Sequence, residues 1–300
     1  MMELRIENLS KRYPNGTQAL QNISLNIPLG MFGLLGPNGA GKSTLMRTLA
    51  TLQEADSGRA IMGNIDILRQ KDAVRRMLGY LPQEFGLYPK VSAEDLLEHL
   101  ATLKGVTNAR ERKEMVRTLL HQTNLHEHRR KALGSFSGGM KQRFGIAQAL
   151  LGNPGLIIVD EPTAGLDPEE RARFHNLLSA IGENIIIILS THIVADVSDL
   201  CQSMAIIHEG HVRVAGNPSQ LVEELEGTVW QKSISHTDLA LCRERFQLIS
   251  MRLFAGRTLV RVLSIQEPEA GFEPTRPDLE DLYFATIKGL VHRPAAGPVH

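Results

Sequence analysis

One stretch constrains this chain more than any other: Gly36-Pro37-Asn38-Gly39-Ala40-Gly41-Lys42-Ser43. It follows a short apolar run, Met31 to Leu35, that reads as a buried strand, and it leads into a helical stretch from Ser43 through Leu52. The spacing is that of a phosphate-cradling loop, G-x-x-x-x-G-K-[ST]. Glycines let such a loop turn tightly enough for its N–H groups to face one anion, and the positive end of the following helix adds to the attraction. In that reading Lys42 reaches the β- and γ-phosphates of a nucleotide and Ser43 ligates Mg²⁺. The competing reading is an ordinary glycine turn with an exposed lysine, and the strand–loop–helix setting favours the nucleotide site.

A second piece has the same logic. Leu156-Ile157-Ile158-Val159-Asp160-Glu161 is an apolar strand that ends in two consecutive carboxylates. Carboxylates at the end of a buried strand are a poor core design unless a cation waits there. Asp160 then helps to hold Mg²⁺, and Glu161 sits beside the γ-phosphate to orient or deprotonate the attacking water. Two acids solvated at a strand end are the bland alternative. The third piece, Phe136-Ser137-Gly138-Gly139-Met140, stands at the start of a helix, where Ser137 taken alone reads as an N-cap.

The rest of the chain alternates between strand-like and helical patterns. Leu4 to Leu9, Ile23 to Ile27, Gly58 to Ile67, Leu78 to Leu81 and Ile185 to Leu189 read as strands, and Glu169 to Ile181 and Val194 to Leu200 as helices. Met204 to Ile207 and His211 to Val214 read as a hairpin around Glu209-Gly210. Uniformly apolar strands alternating with helices predict an α/β fold on a largely parallel sheet, with an antiparallel β part. Residues from about 90 to 153 are mostly helical and form a subdomain beside that core. Composition shifts near Gly227. The expected organisation is a nucleotide-binding domain over 1–226, a small α+β accessory domain over 227–292, and a disordered tail over 293–300.

Composition narrows the partners. Lys+Arg 33 and Asp+Glu 33 cancel, which argues against a chain that coats nucleic acid and against an acidic disordered one. Cys201 and Cys242 are the only cysteines, too few for a disulfide framework, and the default setting is reducing. No apolar run approaches the roughly 20 residues that a spanning helix needs, and the first residues contain no secretory h-region. Membrane contact is therefore expected only through a partner.

These motifs, in this order, resemble the nucleotide-binding subunit of ABC transporters over roughly Met1 to Glu226. Gly36 to Thr44 is similar to Walker A, Gln83 to the Q-loop glutamine, and Ser137 to Gly139 to the signature. Asp160-Glu161 is similar to Walker B, Leu166-Asp167 to the D-loop, and His192 to the switch histidine. Tyr13 stands where that family stacks an aromatic ring on adenine. Alone, Tyr13 reads as an ordinary aromatic and His192 as a hydrogen-bonded structural histidine. Phe136 and Met140 depart from the common signature, which has Leu and Gln there; Gly138 to Arg143 is similar to export-type members. Pro277-Asp278-Leu279-Glu280-Asp281-Leu282-Tyr283 resembles a tail of ABC-2-type export ATPases, and reads equally as a helix start with acids complementing the dipole.

The resemblance implies a P-loop ATPase using ATP and Mg²⁺, with Ser43, Gln83 and Asp160 toward the metal. Tyr13, Gly36, Pro37, Asn38, Gly39, Ala40, Gly41, Lys42, Ser43 and Thr44 hold the nucleotide, with Ser137, Gly138, Gly139 and Asp167 from a facing cassette. Glu161, His192 and Gln83 act in catalysis. It further implies a head-to-tail pair of cassettes, of one chain or of a paralogue, attached to a separate integral-membrane permease at the cytoplasmic face and powering export. Phe85 to Pro89, after Gln83, is the expected permease-docking region. The alternative is a non-transport ATPase acting on a protein assembly.

Overall fold

In the computed structural model, which describes residues 3–83, 86, 88–182, 185–235, 237–254 and 256–291, three sheets and ten α-helices make up the described fold. The central sheet has six strands: β3 (Gly30–Leu35), β6 (Leu78–Leu81), β7 (Leu156–Asp160), β8 (Ile186–Thr191), β9 (Ser203–His208) and β10 (His211–Gly216). They run in the order β10-β9-β3-β8-β7-β6 and are parallel except for β10, which closes the sheet as a hairpin with β9.

The near-continuous apolar strands have a simple origin. Successive side chains point to opposite faces, so a strand covered on both sides must be apolar at every position. Leu156, Ile158, Ile186 and Ile188 enter one core, and Ile157, Val159, Ile187 and Leu189 enter the other. The first core lies beneath α1 (Lys42–Leu49) and an antiparallel sheet ordered β2-β1-β4-β5. Its strands are β1 (Leu4–Arg12), β2 (Gln18–Ile27), β4 (Ser57–Met62) and β5 (Ile65–Asp66).

The second core is covered by α3 (Ala93–Leu103), α4 (Ala109–Gln122), α5 (Gly138–Ala149), α6 (Pro168–Ile181) and α7 (Val194–Leu200). Four of these helices begin at side-chain caps. Ser92 accepts from Asp95 N–H, Asn108 from Arg110 and Glu111 N–H, Ser137 from Met140 N–H, and Asp167 from Glu170 N–H.

The C-terminal region folds as a third sheet, ordered β12-β13-β11-β14. It comprises β11 (Val229–Ile234), β12 (Leu248–Phe254), β13 (Arg257–Leu263) and β14 (Glu273–Pro274). Strand-like patterning over Thr228 to Ile234 and Thr258 to Ile265 marks β11 and β13, but nothing marks β12, because Met251 and Leu253 are apolar yet exposed and a register shift interrupts the pairing near Leu248. Three short helices lie outside the sequence expectations: α2 (Lys71–Met77), α8 (Pro218–Glu223) and α9 (Leu239–Arg245).

The last helix, α10 (Leu279–Ile287), packs on α7, α8, β9, β10 and β12, and Leu279, Leu282, Tyr283 and Ala285 belong to the second core. Asp278 caps it reciprocally: Asp281 N–H donates to Asp278 Oδ1 at 2.9 Å, and Asp278 N–H donates to Asp281 Oδ2 at 3.1 Å. Arg261 of β13 reaches Asp281 Oδ2 at 2.6 Å and Asp278 Oδ2 at 2.9 Å. The acids of the 277–283 segment therefore both start the helix and tie it to the third sheet. Cys201 and Cys242 are buried free thiols, and burial pushes the Cys201 thiol up to about 12. No helix among the described residues is long and apolar enough to cross a membrane. The tail expected over 293–300 lies outside the described residues.

Burial and the neighbouring Asp278 push the Asp281 carboxyl above its ordinary value, opposed by Asp278 N–H and Arg261. Arg261→Met leaves that buried carboxylate without its cation and should cost about 3–5 kcal/mol in urea unfolding. A raised folded value means that stability falls as pH rises through it. The deficit relative to the parent chain should therefore shrink as pH is lowered toward the ordinary aspartate range. A deficit independent of pH would show that Asp281 is not its source.

Candidate nucleotide site

Strands β3, β8, β7 and β6 are consecutive neighbours and parallel, so their C-terminal ends lie on one edge of the sheet. That edge of an open α/β sheet is where ligands bind. Each strand delivers one of the expected groups there: β3 the loop 36–43, β8 His192, β7 Asp160 and Glu161, and β6 Gln83. A cleft of about 750 Å³ opens at this edge. Its walls include Tyr13, Asn38, Gly39, Gly41, Lys42, Ser43, Thr44, Gln83 and Glu161.

The loop is shaped by backbone needs that only glycine meets. Gly41, at φ 109°, caps α1 in the left-handed region, and a Cβ there would lie 2.5 Å from the Ala19 carbonyl oxygen. A Cβ on Gly36 would lie 2.3 Å from the Ile207 carbonyl oxygen. Lys42 is 4% exposed and its Nζ donates to the carbonyls of Gly36 at 2.6 Å and Pro37 at 3.1 Å. Burial pushes its ammonium below the usual lysine range, while Glu161 and Asp160 act in the opposite direction.

Glu161 is the junction of the site. Its Oε1 lies 3.1 Å from His192 Nδ1 and 3.8 Å from Lys42 Nζ, and its Oε2 accepts from Gln83 Nε2 at 3.1 Å. Glu161 also has a left-handed backbone, φ 48°, which is uncommon for a residue with a Cβ. Its N–H donates to the Ser190 carbonyl at 2.8 Å. Beside it, Asp160 is 4% exposed and its Oδ1 is buried without a hydrogen-bond partner. A buried, unsatisfied carboxylate oxygen flanking a serine-bearing phosphate loop is an oxygen donor set suited to a hard divalent cation.

Tyr13 enters the cleft through contacts that sequence reading does not find. Its hydroxyl lies 3.1 Å from Thr44 Oγ1 and donates to Gln53 Oε1 at 3.2 Å. Gln53 Nε2 in turn donates to the Thr44 carbonyl at 2.9 Å and to Thr48 Oγ1 at 3.0 Å. Gln53 thus fastens Tyr13 to α1. No spacing or motif marks this glutamine. The cleft also extends between Thr17–Gln21 and Glu209–His211, which carry no motif either.

The signature and D-loop residues stand apart from this cleft. Ser137 and Gly138 are exposed, and Ser137 Oγ accepts from Met140 N–H at 3.2 Å. Gly139 is buried, where a Cβ would meet Glu170 Oε2 at 2.2 Å. Phe136, one of the two signature departures, is buried in the second core. Asp167 Oδ1 accepts from Glu170 N–H at 2.8 Å and caps α6. Of the segment expected to dock a partner, Phe85 and Leu87 lie outside the described residues, and Tyr88 is exposed.

A glycine loop between a parallel strand and a helix, with an acidic strand end beside it, defines a P-loop nucleotide-binding domain. Residues 20–164 match the family model described as ABC transporter. The chain is 34% identical over 235 residues to the linearmycin resistance ATP-binding protein LnrL of Bacillus subtilis (strain 168), covering 77% of this chain and 75% of that one. It is 31% identical over 303 residues to the probable multidrug ABC transporter ATP-binding protein YbhF of Escherichia coli (strain K12). That match covers 95% of this chain but spans only about half, 52%, of YbhF. The dimeric, post-hydrolysis structure of the ATP-binding cassette MJ0796 bound to ADP and Pi superposes with a TM-score of 0.65. It is 27% identical and covers 71% of this chain and 98% of its own. The chain belongs to the ATP-binding proteins of ABC transporters, and its fold is their ATPase cassette.

Gln53→Leu should weaken ATP binding about 2–10-fold in a calorimetric titration, the effect of losing one or two ordinary hydrogen bonds that hold Tyr13 in place. An unchanged affinity would remove Gln53 from the binding wall.

Proposed function

We propose that this chain hydrolyses ATP to power export through a separate membrane permease, working as one half of a head-to-tail pair of cassettes. One observation carries the pairing. The cleft gathers Lys42, Ser43, Gln83 and Glu161, whereas Ser137 and Gly138 are exposed and outside its walls. A nucleotide in this cleft is completed by the signature of a facing cassette, of this chain or of a paralogue. The dimeric MJ0796 cassette supports that arrangement. Export is supported by the drug-resistance and multidrug names of LnrL and YbhF. A permease partner places the chain at the cytoplasmic face of the membrane.

Hydrolysis transfers the γ-phosphoryl group to water. The water oxygen bonds to phosphorus, the bond to the bridging oxygen of ADP breaks, and the proton leaves with a base. Glu161 takes that proton, a role supported by its contacts with His192 at one oxygen and Gln83 at the other. Lys42 meets the β- and γ-phosphates, and an anionic phosphate offsets the cost of its burial. Ser43, Asp160 and Gln83 would hold Mg²⁺, which when bound neutralises phosphate charge. Tyr13 offers its ring to the base.

Glu161→Gln should retain ATP affinity, lose turnover by at least about 100-fold and accumulate as an ATP-bound dimer in size-exclusion chromatography. Parent-like turnover would mean that another group is the base. Lys42→Ala should abolish measurable ATP binding in calorimetry; unchanged affinity would dismiss the phosphate-loop role.

A further inference from the structure

Asp196 lies in the first turn of α7, four residues beyond His192, and is fully buried at 0% exposure. A carboxylate removed from water must be met by donors or a counter-charge. Here the donors converge from three segments. Thr163 Oγ1 donates to Asp196 Oδ2 at 2.6 Å, and Thr191 Oγ1 to the same oxygen at 3.2 Å. Arg171 donates from Nε at 2.8 Å and from its terminal nitrogen at 2.6 Å to Oδ1, and His175 Nε2 lies 3.0 Å from that oxygen.

The positions of the donors matter more than their number. Thr163 is two residues after Glu161. Thr191 immediately precedes His192, and its Oγ1 also accepts from Ile193 N–H at 3.0 Å, which fixes the chain on both sides of the histidine. Arg171 and His175 stand on α6, whose cap is Asp167. One carboxylate therefore joins the turn that carries Glu161, the turn that carries His192, and the helix that follows Asp167.

The turn at Glu161 requires such a hold. A left-handed backbone at a residue with a Cβ persists only where its surroundings over-determine it. On the strand side, Glu161 N–H is held by the Ser190 carbonyl. On the far side, the side-chain tether is Thr163 to Asp196. We infer that Asp196 is a positioning residue for hydrolysis: by clamping Thr163 and Thr191 to one buried carboxylate, it keeps Glu161 in its left-handed turn and His192 at 3.1 Å from it. The inference rests on Glu161 as the base. It differs from a purely structural role, in which Asp196 serves only as the counter-charge of Arg171.

Thr163→Val separates the two roles, since it removes one donor while keeping side-chain volume and the Asp196–Arg171 pair. The full chain is compared as Thr163→Val, Thr163→Ser, Asp196→Asn and Glu161→Gln. The clamp predicts that Thr163→Val keeps ATP affinity within about twofold while kcat falls at least 10-fold. It also predicts that nucleotide-free amide exchange at Glu161 and Ile193 quickens at least 10-fold. Thr163→Ser restores both, and Asp196→Asn shifts both in the direction of Thr163→Val. Should Asp196→Asn fail to fold, the Thr163 pair decides. Parent-like kcat and exchange in Thr163→Val, with Glu161→Gln inactive, would overturn the clamp and leave the base standing. Equal losses in Thr163→Val and Thr163→Ser would also overturn it, because the hydroxyl would not be the agent. Parent-like turnover in Glu161→Gln would overturn the base and the clamp together.

Discussion

Parallel pairing of β3, β8, β7 and β6 is the constraint on which the rest of the molecule depends. Antiparallel neighbours would send alternate strand ends to opposite edges of the sheet. Because all four run the same way, residues distant in sequence arrive at one edge, Gln83, Glu161 and His192 within two residues of a strand end and Lys42 through the short loop after β3. The register is specific as well: Asp160 lies opposite Ser190, so the Glu161 N–H meets the Ser190 carbonyl as the first contact beyond the ladder. A slip of one residue would exchange the two faces of each strand and turn Ile158 and Ile188 into the helical core.

Burial then sets the chemistry available at that edge. Lys42 is almost wholly enclosed, and its charge is carried by two loop carbonyls and, at longer range, by Glu161. Taking an ammonium out of water is costly, and the nearby carboxylates repay part of that cost. Phosphate groups in the cleft would improve the balance further, so that a lysine costly to the free loop would favour the bound one. Asp160 follows the same pattern from the acidic side. Its unsatisfied oxygen is a local cost in the free protein that a bound cation would remove.

The sequence is most informative where one residue type alone can satisfy a backbone or a charge. The phosphate loop is legible because Gly36 and Gly41 leave no room for a side chain, and the parallel core because Leu156 to Val159 of β7 and Ile186 to Leu189 of β8 are unbroken apolar runs. Legibility fails where function depends on contacts between segments distant in sequence. Asp196 reads as an acid in the first turn of a helix, a placement that the helix dipole explains without further purpose. Gln53 reads as an unremarkable polar residue after α1. Strand β12 is missed for the opposite reason, since the apolar Met251 and Leu253 face outward and blur the two-residue alternation. The expected boundary near Gly227 follows a change of composition, yet α10 beyond it completes the second core of the cassette.

That last contact gives the C-terminal region a mechanical relation to the site. α10 is held to β13 by Arg261 and Asp281 on one side, and on the other packs against α7, the helix that begins just after His192 and contains Asp196. α7 also packs closely on the central sheet: a Cβ on Gly33 of β3 would lie 2.8 Å from Val197 and 3.1 Å from Cys201 Sγ. α7 is thus packed against both the central sheet and α10, with little room to shift unless one neighbour moves. Because Asp196 anchors Thr163 and Thr191 from this confined helix, the rigidity of α7 is transmitted to Glu161 and His192. The left-handed turn at Glu161, a strain of about 1–3 kcal/mol, is sustained by packing that extends from this edge of the sheet to the last helix described.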